Sequence, residues 1–228
     1  MTSKFENMIS AFAFRGLYRQ PMLSLLVVIQ TAMLLLSCQA DAQQNIKRNI
    51  MEKENLKEIY LAGGCFWGTE HYFKQIDGVV DTEVGYANGT TDNPTYKEVC
   101  TDKTGFAETV HVTYNPDKVS LMFLLKMYFK AIDPTSIHQQ GHDIGTQYRT
   151  GVYYTDSTDE ATINEVFAEQ QKHIHGKIAV ENLPLKNFYK AEDYHQDYLD
   201  KNPDGYCHLP QSLFDFARKA KDNHADQQ

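Results

Sequence analysis

The run Gly63-Gly64-Cys65-Phe66-Trp67-Gly68-Thr69-Glu70, together with its flanks, constrains this chain more than any other stretch. Ahead of it, Glu58-Ile59-Tyr60-Leu61-Ala62 is short, apolar and aromatic, and reads as a strand. Behind it, Phe66, Phe73 and Ile76 recur at helical spacing, with Glu70, Lys74 and Gln75 assigned to the opposite, polar face. A glycine pair between a strand and a helix permits a sharp reversal and leaves room for a ligand to approach the main chain. Cys65 then falls in the first turn of the helix, where free N–H groups and the positive end of the helix dipole favour a thiolate. The competing reading is a small packed thiol, the usual state of a free cysteine.

The same alternation of periods continues along the chain. Val79 to Tyr86 reads as a strand ending in the turn Ala87-Asn88-Gly89. Ala107 to Tyr114 is the clearest strand, with Val110, Val112 and Tyr114 on one face, His111 and Thr113 on the other, and Glu108 at its start. Asn115-Pro116 breaks it, and Ser120 to Ile132 follows as an apolar helix stopped by Asp133-Pro134. His138 to Tyr148 lacks periodicity and reads as a functional loop. Thr150 to Thr155 is a strand, Ser157 opens a polar helix through His173, and Lys177 to Leu183 is a final strand. Phe188 to Leu199 is a short helix or an ordered aromatic segment, and Asn202-Pro203-Asp204-Gly205 turns the chain before Tyr206-Cys207. Mixed strands and helices without repeats predict an α+β two-layer sandwich, its mixed and mainly antiparallel sheet packed by helices.

The first part of the chain has a different character. Arg15 and Arg19 precede a mostly apolar run from Met22 to Leu36, which has the layout of a secretory signal and is short for a membrane span of about 20 residues. Leu35-Leu36-Ser37-Cys38 resembles a bacterial lipobox, in which the cysteine is lipidated and becomes the mature N-terminus. Simple secretion and a retained signal anchor are the alternatives, and translation from Met22 would remove both arginines. The expected organisation is a signal peptide at 1–37, a polar tether at 38–55, one folded domain at 56–216 and a polar tail at 217–228. That places the domain on the periplasmic side of a bacterial cell envelope, lipid-anchored at Cys38. With 22 Lys and Arg against 30 Asp and Glu, a net charge of −8 and no basic patch, nucleic acid is set aside as a partner. A monomer is expected.

Cys65, Cys100 and Cys207 remain beyond the signal segment, an odd number that fits redox chemistry better than a disulfide framework. Cys207 lies in a glycine-marked tail from which it could swing toward Cys65, with a structural bridge as the plain alternative; Cys100 reads as a packed residue. A thiolate attacking an oxidised sulfur needs a proton delivered to the departing oxygen, which a buried carboxylic acid can supply. Glu108 is the best placed in sequence, with Glu70 and Asp143 as competitors.

Five motifs in order make a resemblance specific. Gly64-Cys65-Phe66-Trp67-Gly68-Thr69-Glu70, Asn93-Pro94-Thr95-Tyr96, Gly105-Phe106-Ala107-Glu108, Asp143-Ile144-Gly145-Thr146-Gln147-Tyr148-Arg149 and Phe188-Tyr189-Lys190-Ala191-Glu192-Asp193-Tyr194-His195-Gln196 resemble the A-type peptide methionine sulfoxide reductases, over about Glu58 to Cys207. The resemblance implies a ferredoxin-like core and reduction of the S epimer of methionine sulfoxide, free or in oxidised proteins. It implies Cys65 as nucleophile, Glu108 as proton donor, and Tyr96 and Tyr148 as hydroxyl donors to the sulfoxide oxygen. Asp143 becomes a polar wall residue, and Phe66 and Trp67 an apolar seat for the S-methyl group. Cys65 would pass through a sulfenic acid to a disulfide with Cys207, recycled by thioredoxin or, for an exported enzyme, a thioredoxin-like partner, with no metal or organic cofactor. No cysteine follows Cys207, so no relay to a third thiol is expected, and His138 and His142 stand where relatives more often carry asparagine or another polar residue.

Three other functions compete with this one. A cysteine hydrolase or transferase would pair Cys65 with a histidine such as His195 and would need no Cys207. A metal-binding lipoprotein would use Cys207, His208 and His195, which lack the paired spacings of a zinc site. A non-catalytic surface lipoprotein on the same fold is the third.

Overall fold

The alternating segments assemble into one six-stranded sheet in the computed structural model, which describes residues 55–223 and the isolated Gln43. The expected signal peptide, Cys38, the tether as far as residue 54 and the last five residues lie outside the described residues. In chain order the elements are β1 (Lys57–Gly63), α1 (Phe66–Lys74), β2 (Val79–Ala87), α2 (Tyr96–Val99), β3 (Ala107–Tyr114) and α3 (Leu121–Ala131). The two-residue strands β4 (Gln139–Gln140) and β5 (Asp143–Ile144) follow, then β6 (Thr150–Tyr154), α4 (Glu160–Gln171), β7 (Glu181–Pro184), β8 (Phe188–Lys190), α5 (Tyr198–Lys201) and α6 (Gln211–Lys219). All of them belong to one unit that begins at Asn55.

The strand order is β7-β6-β1-β3-β2-β8, antiparallel throughout except for the parallel β6–β7 pair. Its four central strands, numbered by their place in the chain, run fourth, first, third, second, with α1 and α3 as the two crossovers. This is the ferredoxin-like arrangement. Each crossover helix covers the same face because such connections are right-handed. Ile59 and Leu61 of β1, Val84 and Tyr86 of β2, and Val110, Val112 and Tyr114 of β3 all point into the helix-covered core with Tyr72, Phe73, Leu124, Leu125 and Tyr128. The other face carries a smaller cluster of Tyr60, Ala62, Ala87, Ala107 and Tyr153.

Several boundaries differ from the sequence reading. The strand expected at Lys177 to Leu183 starts only at Glu181, where parallel pairing with β6 begins. The 188–199 segment splits into the edge strand β8, paired with Gly85, Tyr86 and Ala87, and the short α5. Three residues are too few to display a period of two, so β8 leaves no signal of its own. The 138–148 loop folds on itself through the β4–β5 ribbon and a single 3-10 turn at Thr146–Tyr148. At the other end α6 continues past residue 216, burying Phe214 and Ala217.

Candidate active site

Gly64 has φ +82°, a conformation that L side chains rarely adopt, and a Cβ there would stand 2.6 Å from Cβ of Gln140. That reversal delivers Cys65 to the N-cap of α1, one residue before the first helical turn in which the sequence placed it. The thiol is 6 % exposed. Its acidity differs from the expectation as well: burial, then the Glu108 carboxylate, push the Cys65 thiol well above its ordinary value. The Trp67 and Gly68 N–H groups favour the charged form without closing a capping hydrogen bond, and they lose to burial. Cys65 rests as a thiol, so a role as nucleophile would require its proton to be drawn off during the reaction.

Glu108 shares the parity of Val110, Val112 and Tyr114 along β3, and that puts its carboxyl on the helix-covered face directly below the start of α1. It is 1 % exposed. Its Oε2 accepts the Phe66 N–H at 3.1 Å, which satisfies one of the unpaired donors of the helix N-terminus, while Oε1 has no partner. Burial raises the Glu108 carboxyl from 4.5 to about 8, with Asp143 adding to the rise and the Phe66 N–H opposing it. Glu108 therefore holds a proton at neutral pH, carried on an oxygen that nothing else occupies. Glu70, the competitor in sequence, faces elsewhere: its oxygens accept the Thr82 hydroxyl at 3.3 Å and the Asp197 N–H at 3.0 Å. It is also buried, at 2 % exposure, rather than on a solvent face, and burial lifts it to about 7.

Tyr96 and Tyr148 lie within hydrogen-bond reach of each other, and both feel the Glu108 charge. Burial, then that charge, keep both phenols protonated and able to donate. Asp143, on β5, accepts the Tyr206 hydroxyl at 2.9 Å through Oδ1, and its Oδ2 is buried without a partner. A carboxylate oxygen of Asp143, the Cys65 Sγ and a ring nitrogen of His208 lie within 4.8 Å of one another. The loop between α3 and β6 thus brings Asp143 and Tyr148 to Cys65 and Glu108.

Cys207 does not hang free in its tail. Leu209, two residues on, is buried in the main core, and its N–H points at the Cys207 Sγ from 3.4 Å. A Cβ on Gly68, one helical turn after Cys65, would meet the Cys207 Sγ at 3.0 Å, so this glycine is the notch in α1 that admits the second thiol. Both Cys65 and Cys207 are free thiols. Cys100 is exposed at the end of α2, and the expectation of a packed residue is corrected: the four-residue helix turns it outward while Val99 faces the core.

Comparison with known proteins identifies the assembly. The peptide methionine sulfoxide reductase family profile matches residues 57–227. The chain is 55% identical over 158 residues to the peptide methionine sulfoxide reductase MsrA of Clostridium acetobutylicum, covering 69% of this chain and 98% of the relative. The chain belongs to the A-type peptide methionine sulfoxide reductases. It is also 55% identical over 154 residues to the Clostridium perfringens enzyme of the same name, covering 68% of this chain and 98% of that protein. Among solved structures, reduced Mxr1 of Saccharomyces cerevisiae matches with a TM-score of 0.66 and 44% identity, covering 69% of this chain and 92% of that one. The methionine sulfoxide reductase A of Corynebacterium diphtheriae gives 0.63 and 38%, covering 69% and 84%.

Two residues that support the site, Glu192 and His195, carried no role in the reductase reading of the sequence, where His195 figured only in the rival hydrolase and metal-site readings. Glu192 accepts the Tyr86 hydroxyl at 2.7 Å and the Tyr96 N–H at 2.9 Å, tying the start of α2 to the sheet. His195, 1 % exposed, accepts the Trp67 indole N–H at 3.1 Å through Nδ1 and packs against Phe66, Tyr96 and Tyr194. With that nitrogen engaged, His195 is a prop for the aromatic wall and not a base for Cys65; the histidine beside Cys65 is His208. Phe66 is closed off between Tyr86 and His195, while Trp67 stacks on Tyr198 with ring centres 3.7 Å apart and stays half-buried. Glu192 and His195 sit inside the longest motif, so a signal was present; their roles needed the fold.

Proposed function

We propose that this reductase acts on the S epimer of methionine sulfoxide, free or within oxidised proteins, through a two-thiol cycle. Cys65 attacks the sulfoxide sulfur as the Glu108 proton passes to the sulfoxide oxygen, and Glu108 takes up the proton given up by Cys65. Methionine departs and the oxygen stays on Cys65 as a sulfenic acid. Tyr96 and Tyr148 donate to the sulfoxide oxygen, Asp143 lines the polar wall, and Phe66 and Trp67 seat the S-methyl group. Cys207 then condenses with the sulfenic acid, releasing water and leaving a Cys65–Cys207 disulfide, which an external dithiol reduces by exchange. A thioredoxin-like protein is the reductant implied by the family resemblance. Two thiols in, one sulfoxide reduced and one water out balance the electrons, so the cycle as written calls on no metal or organic cofactor.

The observation that carries this reading is the Glu108 carboxyl buried beneath the N-terminus of α1 with one oxygen unpartnered, a setting whose burial favours the protonated form. The test is mass spectrometry of the reduced protein after one equivalent of the S sulfoxide. One methionine released and a Cys65–Cys207 disulfide are expected; intact thiols with no methionine would sink the proposal.

The cellular setting is inferred from the sequence alone. Arg15, Arg19, the apolar run from Met22 to Leu36 and the Leu35-Leu36-Ser37-Cys38 motif support export to a bacterial cell envelope with a lipid on Cys38, and a monomer working on the periplasmic side. Incorporation of a labelled fatty acid that is lost in Cys38→Ala is the expected result, and equal labelling of the variant would remove the anchor.

A further inference from the structure

His208, the residue after Cys207, takes no part in the two-thiol cycle but lies between its two sulfurs' elements. At the notch in α1, a Cβ on Gly68 would stand 3.0 Å from the Cys207 Sγ and 3.1 Å from His208 Nδ1. At Gly64, the neighbour of the nucleophile, the nearest His208 atom is the other nitrogen, Nε2, at 3.5 Å from a Cβ there. A ring nitrogen of His208 is within 4.8 Å of the Cys65 Sγ and of an Asp143 oxygen. The imidazole therefore reaches from the turn of α1 that receives Cys207 back to the start of the helix, where Cys65 sits. Both ring nitrogens are shut off from solvent, and neither closes a hydrogen bond of normal geometry. Burial favours the neutral ring, against the opposing pull of Asp143 and the nearby Gly63 carbonyl. A neutral imidazole has a lone pair at one nitrogen and an N–H at the other, on different edges of the ring.

We propose that His208 is the proton relay of the second half-reaction, carrying the Cys207 thiol proton to the oxygen that leaves Cys65. The proposal rests on the two-thiol cycle above. As the Cys207 sulfur bonds to the Cys65 sulfur, Nδ1 takes the Cys207 proton, the S–O bond of the sulfenic acid breaks, and the Nε2 proton joins the departing hydroxide as water. Cys207 is oxidised and the Cys65 sulfenic sulfur is reduced, both to the disulfide level, and the ring ends in its other tautomer. Proton exchange through the water that the step itself releases beside the ring restores the starting tautomer. No further acid, base or oxidant is needed.

The test separates the two half-reactions in the full-length reduced protein. Rapid-quench samples after one equivalent of the S sulfoxide are assayed for methionine and for the Cys65–Cys207 disulfide, with dimedone to trap the sulfenic acid. In His208→Ala the interval between methionine release and disulfide closure is expected to lengthen on the order of 10²-fold, the lower end of general acid–base effects. Dimedone adduct on Cys65 should rise in step, and added imidazole should shorten the interval again, a rescue that a merely structural role would not give. His208→Gln, closer in size to histidine, is expected to show the same delay. Closure at the wild-type rate in both variants would overturn the relay, as would a delay in His208→Ala that imidazole does not relieve. A wild-type chain that releases no methionine would fail the underlying cycle and the relay with it.

Discussion

Glu108 is the residue on which the proposed chemistry turns, and its acidity follows from where β3 puts it. A carboxyl sealed under a helix with a single N–H donor cannot keep its charge, so it protonates below about 8. The methionine-releasing step should therefore fall as pH rises through about 8 in single-turnover measurements. Glu108→Gln should lose roughly 10²-fold in that step, and its rate should no longer fall through that range. The same shift acts on stability. The fold holds this proton more tightly than the unfolded chain, so the contribution is full below 4.5 and is lost as pH rises through about 8. Denaturant unfolding at pH 6 and pH 9 should show a larger loss for the wild type than for Glu108→Gln. Cys65 yields a second expectation: being buried and disfavoured as a thiolate, it should react with iodoacetamide at pH 7.5 more slowly than exposed Cys100. Peptide mapping of the labelled protein orders the two. The sequence marked both candidate residues, since glycines around a cysteine and an acid opening an apolar strand are local patterns. The direction of the Cys65 shift was not legible, because burial is set by residues far away in the chain.

At the scale of elements, α1 is shaped by its glycines at both ends of one turn. Gly64→Ala forces a side chain onto a φ of +82° and against Gln140, and should destabilise the fold by about 1–3 kcal/mol while displacing Cys65. A thermal or denaturant midpoint equal to that of the wild type would contradict this. Gly68→Ala acts differently. Alanine improves helix propensity by up to about 1 kcal/mol, yet its methyl would occupy the notch that receives Cys207 and His208. Disulfide closure should slow more than methionine release, read as separate rates, with little change in stability. β1, α1, β3 and α3 were legible because each spans enough residues to show its period. The edge strand β8 and the start of β7 were not, because their pairing is decided by partners a long way off in sequence, such as Gly85 to Ala87 and Gly151 to Tyr154.

At the scale of the whole molecule, the ferredoxin-like order draws the strands and loops of the reductase around one helix N-terminus. Strand order could not be read from a single chain, since alternation says which face a residue takes and nothing about its neighbours. The unit beginning at Asn55 contains every residue placed in the site. Cleavage ahead of Asn55 by limited proteolysis should accordingly leave the methionine burst and disulfide closure intact, and loss of either in the purified fragment would refute that independence. The notch at Gly68 has a final consequence for survival under oxidant. Because Cys207 already packs at this notch, one turn along α1 from Cys65, the sulfenic acid of the proposed cycle would meet a partner whose effective molarity is set by fixed geometry and not by chain diffusion. In that cycle ring closure should outrun peroxide and millimolar competitor thiols and spare Cys65 the irreversible climb to sulfinic acid.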